Sequence, residues 1–178
     1  MKGSVFLLFL VGAGRLLAGE DWQKTLTPPT PGNFPPLRPL TADYTFGWGA
    51  LTAATVQTIY SRTRGGLLEL HVQGQSVGAV RALWKMNSDS TSLVQPKTLR
   101  PVRLVQKETY SDESRITSVT FTPAAAERTR DTKPADKDSG KTKKFKFAPL
   151  FDLHSALLFV RSLPLEKGDD IRFVTYPA

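Results

Sequence analysis

The 178-residue chain contains no cysteine, two histidines (His71 and His154) and two methionines. Without thiols there is no disulfide to staple the fold, no thiolate metal site and no cysteine nucleophile, so the core alone must hold the structure. Two histidines cannot build a histidine-rich metal cluster, and no cofactor is implied. Long apolar runs are also missing. The longest covers roughly ten residues around Val5–Val11, about half of what a bilayer-crossing helix needs. Its flanks explain it: Met1-Lys2 supplies a positive start, and Leu16-Leu17-Ala18-Gly19 places small residues before Glu20-Asp21. That order is the pattern of a secretory signal peptide over residues 1–19. No cysteine follows it, which excludes a lipid-anchored lipoprotein. The expectation is an exported protein of a bacterial periplasm, with no transmembrane segment after leader removal.

What remains is enough for one domain, and the formal charge of +8 falls to about +6 once Lys2 and Arg15 are gone. The basic excess is local. From Glu127 to Lys146 eight Lys/Arg face four acids. Such a run suits anionic lipid, lipopolysaccharide or nucleic acid, whereas a solvated loop is the blander reading. Acids are interspersed and no aromatic precedes Phe145, so base stacking has nothing to work with. Nucleic acid is not expected as a partner.

Six prolines between Leu26 and Leu40 predict an extended spacer over residues 20–40, with the domain starting near Thr41. From there the period is two. Tyr44, Phe46 and Trp48 share a strand face, with Gly47 and Gly49 marking a bend or hairpin. Strands are predicted at about Ala53–Ser61, Leu67–Gln73, Thr91–Val94, Val102–Tyr110 and Arg115–Thr122, with a short helix within Val77–Met86. Residues 123–147 are charged and nearly free of large apolars, which predicts a disordered basic loop interrupting the domain. Asp152 caps a helix whose Leu153, Ala156, Leu157 and Val160 form an apolar stripe, and a final strand runs over Ile171–Tyr176. The expected fold class is mainly β: a single strongly curved antiparallel sheet (half-barrel) with one or two short helices. A sheet ending without a partner for its last strand looks C-terminally incomplete.

Several segments together resemble a known family. Tyr44-Thr45-Phe46-Gly47-Trp48-Gly49 is similar to the aromatic first strand of the bacterial "domain of unknown function 3108" family. The resemblance continues through Ser88–Val94, Arg100-Pro101-Val102 and Val119-Thr120-Phe121. It is most specific at Asp152-Leu153-His154-Ser155-Ala156-Leu157, Val160-Arg161 and Leu165–Asp169. It covers about residues 41–178 and implies a periplasmic β-rich protein near the lipoprotein-carrier architecture, in which a curved sheet half-closes around a helix. It carries no catalytic residues. The basic insert and the strands expected after Tyr176 are where this chain departs from it.

Enzyme signals are weak. Asp152, His154 and Ser155 have the residue types of a hydrolase triad, but neighbours on one helical turn point in different directions, and capping explains Asp152. His71 falls on the polar side of its strand. Glu108 and Asp112 lie by a hairpin turn rather than across a cleft. Gly47–Gly49 and Gly74–Gly78 lack the spacing of a phosphate cradle. The aromatics are the remaining asset. The concave face of a half-open sheet has no second sheet over it, and Tyr44, Phe46, Trp48, Trp84 and Phe121 are the expected lining of an apolar cleft there. The function expected is non-enzymatic: an envelope protein holding an acyl chain, lipid or lipoprotein segment. The alternative is an assembly factor contacting another envelope protein through its sheet edge and basic loop; a hydrolase ranks last.

Overall fold

Side chains alternate across a strand, so pairing register decides which residues share a face. The structure, a computed structural model, describes residues 22–176. The expected leader therefore lies outside the described residues. A 3-10 turn at Trp22–Thr25 precedes β1 (Leu40–Trp48), β2 (Leu51–Arg62), β3 (Leu68–Ser76), α1 (Gly78–Leu83), β4 (Met86–Val94) and β5 (Pro101–Tyr110). Then come β6 (Ser114–Phe121), β7 (Ala126–Lys133), β8 (Lys141–Phe145), β9 (Leu150–Phe151), α2 (Leu153–Ser162) and β10 (Val174–Thr175). Strands β1 to β8 form one antiparallel sheet in chain order, an open half-barrel-like meander with β1 and β8 as its edges. At the first turn, a side chain on Gly47 would collide with the Leu51 carbonyl, and Gly49 has φ +58°, so both positions require glycine.

One face of the sheet carries the core. Register aligns Leu40, Tyr60, Leu70, Ser92, Leu104, Val119 and Arg128 in one row across β1–β7. Beside it Leu68 pairs with Val94, and Phe121 with Ala126. Helix α2 covers this end: Leu158 packs on Tyr60, Leu68, Leu70, Val94 and Leu99, while Phe159 stacks on Phe151 at 5.0 Å between ring centroids. Burial pushes the Tyr60 phenol up to about 12, with Arg62 and Arg161 opposing.

Three expectations need correction. The proline-rich segment is no free spacer. Phe34 and Leu37 pack on the core, Gly32 N donates to Ser162 Oγ at 3.2 Å, and Thr27 N donates to the Arg172 carbonyl at 2.8 Å. Proline bars a segment from a ladder, but a chain with few N–H groups has fewer donors to leave unpaired when it lies on apolar surface. Residues 123–147, expected to be a disordered loop, contain β7 and β8. Ala126 and Thr132 are buried, and the charges pair locally: Lys144 with Glu127 at 2.8 Å and Lys143 with Asp138 at 2.6 Å. Composition undercounts such a hairpin because β6 satisfies its main chain. The last strand is only Val174–Thr175, and it pairs in parallel with β9 rather than joining the large sheet.

Candidate functional site

The same face that is core under α2 is bare at its other end. Another cross-strand row links Phe46, Ala54, Ser76, Met86 and Tyr110: the first two and the third by register, Met86 by its N–H donating to Ser76 Oγ at 3.0 Å, Tyr110 by register with Met86. Next to it Tyr44 pairs with Val56 and Val56 with Gly74. The middle of this end is therefore floored by small side chains. Aromatics stand at both sides. Tyr44 and Phe46 lie 6.4 Å apart on β1, and the Trp84 ring is 6.4 Å from Tyr110. Five strands at a spacing of about 4.8 Å give this floor a width of about 19 Å. Tyr44, Phe46, Trp48 and Trp84 are 50%, 54%, 67% and 54% exposed, values no core residue shows.

Of the five residues predicted to line one cleft, β1 brings Tyr44, Phe46 and Trp48 together by alternation, and Trp84 stands across the floor from them. Phe121 does not join them. It is 9% exposed, edge-on to Tyr176, and belongs to the core with Leu104 and Val119. Phe121 also borders a separate cavity of about 780 Å³, where Pro29, Pro31, Pro101, Pro149 and Leu150 meet Arg100. Arg100 is held over the Phe151 ring at 5.1 Å. Tyr110 and Met86 are the site residues that sequence reasoning missed. Met86 opens the serine-rich β4, where the missed signal was its alternation with Ser88, Ser90 and Ser92, and Tyr110 ends β5 directly opposite it, a pairing only the register reveals.

The opposite face is polar. A trough of about 630 Å³ is bordered there by Asp43, Gln57, Gln73, Asn87, Asp89 and Lys107. Gln73 Nε2 donates to Asp89 at 2.9 Å and His71 lies 3.2 Å away; the bond from Gln73 leads in holding the Asp89 carboxyl below its usual range. Among the described residues no group of three or more His, Asp or Glu side chains is placed to hold a metal.

The residues with triad chemistry are committed elsewhere. Asp152 is 1% exposed. Its Oδ1 accepts from Ser155 N at 2.8 Å, and its Oδ2 accepts from Ser92 Oγ at 2.6 Å. Ser155 Oγ in turn accepts from Asp152 N, closing a capping box. His154 lies 3.1 Å from Ser90 Oγ, and burial lowers its pKa from the ordinary 6.5 against the opposing pull of Asp152. Ser155 Oγ donates to the Asp152 carbonyl at 3.1 Å, and Asp152 spends both carboxylate oxygens on structure. Glu108 faces Arg115 at 3.7 Å and not Asp112.

Compared with known families, residues 43–178 match the one described as "Protein of unknown function (DUF3108)". No curated protein and no solved structure matches the chain. No helix among the described residues is long and apolar enough to cross a membrane.

Proposed function

The chain belongs to the DUF3108 family, and for it we propose a non-enzymatic binding role: holding an apolar segment, such as an acyl chain of a lipid or lipoprotein, on the bare aromatic end of the sheet. One observation carries this reading. Tyr44, Phe46, Trp48 and Trp84 stand half-exposed around a floor of small side chains, on a face that is core under α2. Contiguous exposed apolar surface on a small domain marks a place where something docks. The structural engagement of Asp152 and Ser155 supports a role without catalysis. The same proposal locates the protein in a bacterial periplasm, on the leader pattern of residues 1–19. Titration of the protein with a fluorescent fatty acid tests the binding. Saturable quenching of tryptophan emission is expected, and Trp84→Ala should weaken binding by about 1–3 kcal/mol, the transfer energy of one large apolar contact. Absence of saturable binding, or equal affinity in the variant, refutes the reading.

A further inference from the structure

An unanswered positive charge lies where β6, β7 and β8 meet, away from the aromatic floor. Register places Arg128 between Val119 and Lys143, and Arg130 between Thr117 and Lys141, all on the core-bearing face; Arg115 shares that face opposite Thr132. Like charges directly across a ladder repel. The chain answers some of them. Arg115 pairs with Glu113 at 2.7 Å, Arg130 with Asp136 at 2.8 Å, and Lys143 with Asp138 at 2.6 Å.

Arg128 is not answered. No carboxylate among the described residues lies within ion-pair distance of it, and its Nε and Nη2 are buried without a hydrogen-bond partner. Nε of Arg115 and of Arg130 and Oγ1 of Thr132 share that condition. Arg128 as a whole is part-exposed, but donors withdrawn from water with no acceptor are unfavourable, and such groups in a folded protein ordinarily mark a place for an ion or water. The Nε–Nη2 edge is the pair of parallel donors that fits two oxygens of one oxyanion. Val119, directly opposite, belongs to a buried cluster with Tyr176 and Phe145, so Arg128 has apolar surface on one side and the exposed Lys143 on the other.

We propose that Arg128, flanked by Arg130 and Lys143, is an anion site for a phosphate group, with the Nε–Nη2 edge donating both bonds. Inorganic phosphate and a phospholipid headgroup share that chemistry. The inference stands apart from the aromatic floor and is tested separately, on the full chain, by calorimetric titration and melting in inorganic phosphate. Phosphate should raise the wild-type melting point, and Arg128→Met should weaken binding at least tenfold. Arg103→Met, which removes an exposed cation from the opposite face, should change it less than twofold. In phosphate-free buffer Arg128→Met should melt no lower than wild type, because it removes buried donors that have no acceptor. Flotation with phosphatidylglycerol or phosphatidylcholine vesicles separates the sources: an Arg128-dependent preference for the anionic vesicle assigns the headgroup, and phosphate binding without that preference assigns the free ion. Equal loss in both variants, a phosphate-free melting point well below wild type for Arg128→Met, or no Arg128-dependent binding of either probe overturns the site.

Discussion

One face of one sheet behaves in two ways in this protein. At the covered end Leu68, Leu70 and Val94 are buried under α2 and the proline-rich segment, and Leu104 and Val119 are buried with Phe121, Ala126 and Tyr176. At the other end Tyr44, Phe46 and Trp48 occupy the same face of β1 and stay half-exposed. One sheet runs through both, broken in register only at Phe46/Gly47 in β1–β2 and at Leu93/Val94 in β4–β5, so the difference lies in what covers them. At 1.5 Å per residue the ten residues of α2 are about 15 Å long, and α2 meets the sheet through Leu158 on the cluster of Tyr60, Leu68, Leu70, Val94 and Leu99. An aromatic at strand period is core only if a second layer reaches it, and here the second layer stops short.

Breaking the covered end should have the largest effect. Phe159 is fully buried, stacked on Phe151 and edge-on to Phe173. Phe159→Ala should cost about 3–5 kcal/mol through lost burial and the cavity left behind, read as a shift of the denaturation midpoint. A loss under 1 kcal/mol would mean that α2 is not the lid of this end. Asp152→Ala comes next. A simple cap is worth about 0.5–2 kcal/mol, but this one also leaves the buried Ser92 hydroxyl without its acceptor, so about 2–3 kcal/mol is expected. Adding Ser92→Ala should recover part of that loss. No recovery would assign the whole effect to the helix terminus.

The two edge hairpins show how much of this was legible in the sequence. In β1 the period of two is written in large side chains, Tyr44, Phe46 and Trp48, and both the strand and its glycine turn can be read directly. The family resemblance was legible from short segments over nearly the span that matches, and so was the mainly β class. In β7 the same period is written in Ala126, Arg128, Arg130 and Thr132. Two of these are buried and none is a large apolar, so a reading based on hydrophobicity sees only a charged loop. Register with β6, which no single chain segment encodes, turns those residues into one face. The site divides in the same manner. The exposed aromatics of β1 were readable as candidates, whereas the assignment of Phe121 to the core depended on Tyr176, far along the chain.

The smallest effect is the sharpest test of the contrast. Phe46 is 54% exposed on an edge strand, and its partner across the ladder is Ala54, which offers little to pack against. Phe46→Ser therefore gives up little burial and keeps a residue tolerated in a strand, so unfolding free energy should change by no more than about 0.5 kcal/mol. The same substitution at a covered position would be severe, because a buried hydroxyl without a partner adds its own desolvation cost. Chemical denaturation of Phe46→Ser beside Phe159→Ala measures the contrast in one experiment. If Phe46→Ser loses more than about 2 kcal/mol, the aromatic end is core that the chain covers in solution, and the exposed floor ceases to be a binding surface. If it is silent in stability while fatty-acid affinity falls, the aromatics are kept there for a ligand, since the fold draws nothing from them.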